Sequence, residues 1–217
     1  MPIKVFLADD HEMVRDGLGL LLDKETDIIV VGKASDGRQA VRQVHELQPD
    51  AVVMDIAMPA LNGIEATRQI LEDSPHIGIV ILSMHATSEH IFQALQAGAR
   101  GYVLKESAGR ELAEAVRAVC KGRRYMTPKI QELMMDDYVL QRQPASGRSP
   151  LERLTTRERE ILQLVVEGRT SAEIAETLFI SRKTVETYRS RLTEKLGVKD
   201  VPGLVKFAIQ HGLTSLE

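Results

Sequence analysis

The sequence predicts an α/β domain built on a parallel sheet, followed by a smaller all-helical domain. In residues 1–125, short apolar runs alternate with segments of helical periodicity, a pattern typical of a parallel sheet covered by helices on both faces. Residues 126–150 are punctuated by Pro, Ser and Gly and predict a linker that contains one weak helix. Residues 151–217 show only helical spacing, in four short segments. We therefore expect two domains joined by a linker.

Five apolar runs are the predicted strands of the first domain. They are Ile3–Ala8, Ile28–Val31, Ala51–Met54, Ile77–Leu82 and Tyr102–Leu104. Four of them end at side chains that carry charge or form hydrogen bonds, which are Asp9, Asp10, Asp55, Ser83 and Lys105. Ligands of open parallel sheets bind beyond the carboxyl ends of the strands. We therefore expect these five side chains to meet at one edge of the sheet.

The segments between the strands have the spacing of helices. The predicted helices are His11–Lys24, Gly37–Leu47, Gly63–Leu71, Ser88–Ala97 and Glu111–Val119. In the second of them, apolar residues recur at Ala40, Val44 and Leu47, as expected for one buried helix face. Gly98 directly follows the fourth, and glycine commonly ends helices.

Asp55 has the setting of a reactive carboxylate. A strand buried on both faces should stop at this first charge, which places Asp55 at the rim of the sheet. Pro59 and the Asn62-Gly63 pair then enforce a loop, because proline fixes its own φ and restricts the residue before it. A carboxylate that caps a helix is the alternative explanation for this stretch alone.

The other strand-end residues favour phosphoryl transfer at Asp55. A carboxylate accepts a phosphoryl group when the transferred charge is stabilised. Asp9 and Asp10 are hard oxygen ligands of the kind that Mg²⁺ prefers. Lys105 would balance the phosphoryl charge, and Ser83 could donate a hydrogen bond to a phosphoryl oxygen. Each residue alone has an ordinary structural explanation, but their occurrence together at successive strand ends favours a shared site.

The second domain has the helix order of a helix-turn-helix. Its predicted helices begin after Thr155, at Ser171, after Ser181 and after Asp200, and glycines at 168 and 197 end two of them. A short helix, a turn and a longer basic helix are the parts of this DNA-binding motif.

Basic charge is concentrated on the longer of these helices. The whole chain has a formal net charge of −3, whereas residues 182–199 contain six basic and two acidic residues. On a helical wheel, Lys183, Thr187, Ser190 and Glu194 point away from the apolar face, flanked by Glu186 and Arg191. A local basic patch suits binding to phosphates, and an ordinary solvated helix face is the alternative.

Composition narrows the class of protein. The single cysteine, Cys120, cannot form an internal disulfide, which fits a reducing cytosol. There is neither a signal-like N-terminus nor an apolar run near 18 residues, so we expect a cytoplasmic protein without a membrane partner.

Residues 1–125 resemble the receiver domain of two-component response regulators. The resemblance is carried in order by Ala8-Asp9-Asp10-His11, Asp55-Ile56-Ala57-Met58-Pro59 with Gly63, Leu82-Ser83 and Gly101-Tyr102-Val103-Leu104-Lys105. It implies a flavodoxin-like, doubly wound sheet of five parallel strands in the order 2-1-3-4-5, with a sensor histidine kinase as the phosphoryl donor.

The resemblance also implies residue roles. Asp55 would be the phosphoacceptor, and it would hold Mg²⁺ together with Asp9, Asp10 and the backbone carbonyl of Ala57. Lys105 would pair with the phosphoryl group, and Ser83 and Tyr102 would form the switch. One departure is Glu106, because many receivers have proline after the lysine. The isomer of the Lys105–Glu106 peptide bond is left open at this point, since a cis bond without proline costs roughly 3 kcal/mol.

Residues 151–217 resemble the LuxR-type helix-turn-helix, and the whole chain resembles response regulators of the NarL/FixJ group. The matching stretches are 154–162, Ile174-Ala175, 180–188 and 195–198. The resemblance implies DNA contacts from the basic helix and dimerisation through the last helix. The implied DNA contacts are Lys183, Thr184, Glu186, Thr187, Ser190, Arg191 and Lys195, and the implied dimerisation residues are Val201, Leu204, Val205 and Ala208. Family members often have Lys in place of Glu186 and His in place of Tyr188.

The expected function is that of a transcriptional response regulator rather than an enzyme. Phosphorylation of Asp55 would pull Ser83 inward, let Tyr102 follow, and release the second domain to bind promoter DNA as a homodimer. RNA polymerase is a further candidate partner. Two alternatives remain open here: a phosphatase, which Ala57 disfavours because no acid stands two residues after Asp55, and a phosphorylation-dependent protein–protein adaptor that does not bind DNA.

Overall fold

The computed structural model describes residues 1–84, 87–140, 154–198 and 200–210, with backbone alone for 136–140 and 210. The chain forms two compact units, Met1–Gln143 and Pro144–Glu217. Among the described residues, no helix combines the length and the apolar character that crossing a membrane requires.

The first unit contains a parallel sheet with helices on both faces, which confirms the predicted fold class. Its strand order is β2-β1-β3-β4-β5-β6. The strands are β1 Ile3–Ala8, β2 Ile28–Ala34, β3 Ala51–Asp55, β4 Gly78–Ser83, β5 Gly101–Leu104 and β6 Tyr125–Met126. The helices are α1 Glu12–Leu22, α2 Gly37–Leu47, α3 Gly63–Asp73, α4 Ser88–Gln96, α5 Ala108–Cys120 and α6 Pro128–Leu140.

Alternation along the strands divides the core of this unit into two layers. In β3, Val52 and Met54 belong to the layer under α2, α3, α4 and α6, whereas Ala51 and Val53 belong to the layer under α1 and α5. Successive side chains of a strand point to opposite faces, so both faces of the central strands are covered. Asp55, the last residue of β3, therefore sits at the end of a strand that is buried along its whole length.

The sixth strand and α6 extend the first unit beyond the predicted boundary at residue 125. Residues 126–150 were expected to be a linker with one weak helix, and α6 is a helix in this stretch. However, β6 pairs with β5, and Ile130 of α6 is completely buried in the core. Leu133 and Met134 pack against the same core layer. A strand of two residues has no readable periodicity, and α6 begins at a proline, which is favoured at a first helical position.

The second unit is all-helical in its described part. Its helices are α7 Thr156–Val166, α8 Ser171–Leu178, α9 Arg182–Leu196 and α10 Val201–Gln210. Capping boxes start two of them, from Thr155 and Glu158 at α7 and from Thr170 and Glu173 at α8. Buried apolar residues from all four helices form one core.

Candidate functional site

Neighbouring strands bring the predicted acidic pocket together. β3 lies between β1 and β4, with Ala8 opposite Met54 and Asp55 opposite Leu82. The carboxyl ends of these strands therefore share one edge, where Asp9, Asp10 and Asp55 project. The next strand, β5, is followed directly by Lys105.

Lys105 joins two of these carboxylates. Its Nζ lies 2.9 Å from Asp55 Oδ2 and 2.8 Å from Asp9 Oδ2. All three side chains are almost completely buried, with exposures of 2–6%. A buried ion pair is retained only where partners balance the loss of hydration, so the pocket is organised around this lysine.

Burial raises the pKa of Asp55 to about 6, a net value in which Lys105 opposes the rise and the charges of Asp9 and Asp10 add to it. Burial alone would lower the pKa of Lys105, but Asp55 and Asp9 raise it overall. The lysine therefore stays charged, and near neutral pH Asp55 is ionised at a free-energy cost that a further positive charge would relieve.

The pocket has the donor set of a divalent-cation site. The ligand atoms of Asp9, Asp10, His11 and Asp55 all lie within 4.8 Å of one another. Three carboxylates and the Lys105 ammonium sum to a formal charge of −2, which one divalent ion would neutralise. Carboxylate oxygens supplemented by water suit Mg²⁺, so these residues fit the ion that the sequence implied.

Glycines hold the loop after Asp55 in place. A Cβ on Gly63 would lie 1.8 Å from the backbone oxygen of Asp55, and a Cβ on Gly37 would lie 2.0 Å from that of Leu61. Gly63 also donates its backbone N–H to Ile56 O at 2.9 Å. The first turn of α3 thus rests directly on the backbone that carries Asp55. Ala57, two residues after Asp55, is exposed.

The two predicted switch residues are already joined to each other. Tyr102 is completely buried and hydrogen-bonds to the side chain of Ser83. Burial raises the pKa of Tyr102 to about 12. Tyr102 therefore occupies a buried position in direct contact with Ser83, the residue to which the predicted switch couples it.

The backbone after Lys105 settles the open question about its peptide bond. The structure has no cis peptide bond within its described residues, so the Lys105–Glu106 bond is trans. Glu106, which stands where many receivers have proline, accepts a 3.0 Å contact from Lys129 Nζ in the first turn of α6.

Sequence reasoning missed the connection between the switch strand and the segment after α5. Tyr102 in β5 pairs with Met126 in β6, and Thr127 N–H donates to Tyr102 O at 3.4 Å. α6 then packs against α4. The switch residue is thus one strand away from the segment that continues toward the second unit.

In the second unit, most of the predicted DNA contacts are exposed on α9. Lys183, Glu186, Thr187, Ser190 and Arg191 are exposed, and Val185 and Leu192 are buried beneath them. Thr184 is only half-buried, and its hydroxyl lies 2.8 Å from that of Ser181, the N-cap of α9.

Lys195 differs from the other basic residues of α9, because it is bound within its own unit. Its Nζ lies 2.7 Å and 2.8 Å from the two carboxylate oxygens of Glu158, which is buried. Burial raises the pKa of Glu158, but hydrogen bonds from Lys195 and Thr155 outweigh this and lower it overall. The structure therefore gives Lys195 a stabilising contact that the helical wheel did not predict.

The predicted dimerisation residues divide into two groups. Leu204 and Ala208 are 1% and 0% exposed and belong to the core of their own unit. Val201 is exposed and Val205 is half-buried on the outer face of α10. An apolar helix pattern shows that a face is covered but not which chain covers it.

Comparisons with known families match both units. Residues 5–117 match the response regulator receiver domain, and residues 152–208 match the luxR family of bacterial regulatory proteins. The chain is 44% identical over 215 residues to the transcriptional regulatory protein LiaR of Bacillus subtilis strain 168, covering 98% of this chain and 100% of LiaR. It is 38% identical over 214 residues to the oxygen regulatory protein NreC of Staphylococcus carnosus strain TM300, covering 97% and 99%.

A solved structure extends the similarity to a complex with nucleic acid. The two-component response regulator RcsB, solved as an RcsB–DNA complex, aligns with a TM-score of 0.59 at 26% identity. The alignment covers 95% of this chain and 98% of the RcsB chain. The similarity to a protein solved on DNA therefore spans both units.

Proposed function

The chain belongs to the DNA-binding response regulators of the NarL/FixJ group, and we propose that Asp55 accepts the phosphoryl group that controls it. The observation that supports this most directly is the position of Lys105, whose Nζ bridges Asp55 and Asp9 in a buried pocket. At this position the Lys105 ammonium can stabilise negative charge on the carboxylate and, after transfer, on the attached phosphoryl group.

In the proposed reaction, an Asp55 carboxylate oxygen attacks the phosphorus of a phosphohistidine on a sensor histidine kinase. The new oxygen–phosphorus bond forms as the phosphorus–nitrogen bond of the donor breaks, and the leaving imidazole takes up a proton. Lys105 stabilises the charge on the transferred group, since phosphoryl transfer depends mainly on positioning and electrostatics. Hydrolysis of the acyl phosphate by water would release inorganic phosphate and return the Asp55 carboxylate.

A bound Mg²⁺ would neutralise charge between the carboxylates and the incoming phosphoryl oxygens. Asp9, Asp10 and Asp55 would hold it, with the backbone carbonyl of exposed Ala57 as a further ligand. The residues themselves keep the pocket ready, because the fold fixes Asp55 through Gly63 and holds Asp9 through Lys105.

We propose that α9 lies in the major groove of promoter DNA. Its exposed Glu186, Thr187 and Ser190 would face base edges, and Lys183 and Arg191 would contact phosphates. Dimerisation on two half-sites would use Val201 and Val205 of α10. Since such a regulator must bind chromosomal DNA, we infer that it acts in the bacterial cytoplasm.

The coupling between the units is proposed to run through β6 and α6. A phosphoryl oxygen near Ser83 would compete for the hydroxyl that Tyr102 now contacts. Any shift of β5 is passed to its neighbour β6, because Tyr102 pairs with Met126. The two states of this segment would differ in stability with and without the phosphoryl group, as any such switch requires.

Mass measurement after incubation with acetyl phosphate and Mg²⁺ tests the phosphoacceptor. The wild-type protein should gain one base-labile phosphoryl group, whereas Asp55→Asn should gain none. Asp23→Asn, at an exposed position that ends α1, serves as the matched control and should be modified like the wild type. Modification of Asp55→Asn to the wild-type extent would assign the reaction to another residue.

A further inference from the structure

His11 stands at a helix position whose usual structural role it does not perform. It is the N-cap of α1, where Ser, Thr, Asp and Asn are favoured because their side chains accept hydrogen bonds from the first turn. The His11 side chain makes no such bond. Its backbone N–H instead donates to Asp9 Oδ1 at 2.9 Å.

The imidazole is turned toward the acidic pocket. Its Nδ1 lies 2.7 Å from Asp10 Oδ1 and 3.5 Å from Asp9 Oδ1. A ring nitrogen of His11 is also within 4.8 Å of a carboxylate oxygen of Asp55. The side chain is 54% exposed, so it can rotate to meet an ion without disturbing the core.

A nitrogen ligand changes which ions the pocket prefers. Mg²⁺ takes oxygen ligands, whereas imidazole suits the later first-row metals, whose affinity for nitrogen sites rises along the series from Mn²⁺ to Cu²⁺. Three carboxylates alone would discriminate little beyond this general order. Three carboxylates and an imidazole should favour Co²⁺, Ni²⁺ or Zn²⁺ much more strongly over Mg²⁺.

We propose that His11 is a ligand for late first-row divalent cations, which bind in the pocket at Asp9, Asp10 and Asp55. With Mg²⁺, His11 remains a hydrogen-bond partner of Asp10 and contributes little to affinity. With Co²⁺, Ni²⁺ or Zn²⁺, the imidazole coordinates the ion in place of its contact with Asp10. The pocket of this chain thus accepts a second class of cation, which competes with Mg²⁺ for the same carboxylates.

The proposal rests on the proposed cation site, and Co²⁺ is the probe that tests it. Co²⁺ binding to the full chain is followed by its visible absorption, and Mg²⁺ affinity is obtained by competition. His11→Asn retains an amide donor for Asp10 but removes the imidazole. We expect this variant to lose at least about ten-fold in Co²⁺ affinity, with Mg²⁺ affinity changed less than about two-fold.

A direct signature of nitrogen ligation accompanies the affinities. The Co²⁺-loaded wild type should show a hyperfine-shifted, exchangeable imidazole N–H resonance that His11→Asn lacks. His45→Asn, in the last turn of α2, is the control and should retain both the resonance and the affinity.

The outcomes separate this inference from the site on which it rests. Equal losses of Mg²⁺ and Co²⁺ affinity in His11→Asn, or an unchanged Co²⁺ affinity, would overturn the ligand assignment while leaving the cation site in place. Failure of the wild type to bind either ion would overturn the cation site itself.

Discussion

The charged side chains of the acidic pocket and those of α9 differ in their exposure to solvent. In the pocket, Asp9, Asp55 and Lys105 are buried, and the Lys105 Nζ lies within 3 Å of an oxygen of each carboxylate. On α9, Lys183 and Arg191 are exposed to solvent. The fold therefore holds the charged side chains of the pocket in contact with one another's partners, whereas the charged side chains of α9 are hydrated.

Because of this difference, we expect some substitutions to change the stability of the fold and others to change only the affinity for a partner. Changing a buried charge or its support alters stability, because the charge cannot be rehydrated in place. Changing an exposed charge leaves stability within about 0.5 kcal/mol and acts on the partner instead.

Gly63→Ala should have the largest effect. The new Cβ would lie 1.8 Å from Asp55 O, so the backbone of the pocket or the start of α3 must move. Overpacking of this kind should cost about 3 kcal/mol of unfolding free energy and also slow phosphorylation of Asp55. Urea unfolding and mass measurement after phosphodonor treatment check both effects.

Gly17→Ala is the matched control for the glycine substitution. Nothing lies within 4 Å of a Cβ at this position in α1, so the change should stabilise the unit by roughly 0.5–1 kcal/mol through helix propensity. If Gly63→Ala were as harmless as Gly17→Ala, the pocket backbone would not be as tightly held as the distances indicate.

Asp55→Asn should stabilise the first unit at neutral pH. The folded pKa of about 6 exceeds the ordinary 3.8, so the folded state binds the extra proton and the stability of the wild type falls as pH rises from about 4 to 6. Asparagine removes this dependence, and the variant should be roughly 2 kcal/mol more stable at pH 7 without Mg²⁺.

A series of unfolding measurements at different pH values tests whether ionisation of Asp55 causes this difference in stability. Unfolding midpoints of wild type and variant should converge below pH 4 and separate above it, and added Mg²⁺ should narrow the gap at pH 7. A gap that stayed constant from pH 4 to 7 would mean that ionisation of Asp55 is not what costs the stability.

Lys195→Ala and Lys183→Ala should show that two lysines of α9 have different roles, one in stability and one in DNA binding. Lys195 is bonded to buried Glu158, so its loss should cost about 1 kcal/mol of stability. Lys183→Ala should leave stability unchanged but weaken all DNA sequences alike and lower the salt slope of binding by about one. Thermal unfolding and fluorescence anisotropy at several salt concentrations distinguish the variants.

The reverse result would reassign the two lysines. A stable Lys195→Ala protein with weakened DNA binding would make Lys195 a phosphate contact, as its position on the basic helix implied. Loss of binding by Lys183→Ala on one sequence alone would make Lys183 a base contact.

The smallest expected effect concerns the exposed pair Glu106 and Lys129. Their side chains are 66% and 64% exposed, so a double-mutant cycle with alanine should give a coupling of at most about 0.5 kcal/mol. A larger change in phosphorylation-dependent DNA binding than in stability would show that the contact transmits the switch from the Lys105 loop to α6.

Local signals in the sequence predicted the pocket well. Four of the five predicted strands were short apolar runs ended by a polar residue, and parallel strands bring such ends together, so Asp9, Asp55 and Lys105 could be placed without coordinates. The alternation of runs and helical segments likewise predicted the covered parallel sheet.

What the sequence could not reveal depends on contacts between distant residues. Lys195 and Glu158 are 37 positions apart, and nothing local indicates that they pair. The apolar spacing of α10 fits either a dimer face or a core face, and only packing assigns Leu204 to the core. β6 is two residues long and is recognisable only beside β5.

We expect a phosphoryl group on Asp55 to change how α9 binds DNA. The most direct test is anisotropy of a promoter fragment, selected by genome-wide capture of bound DNA, with the full chain before and after acetyl phosphate and Mg²⁺. We predict tighter, dimeric binding for the phosphorylated wild type and no response from Asp55→Asn. Equal affinity and stoichiometry for both proteins under both conditions would contradict the account.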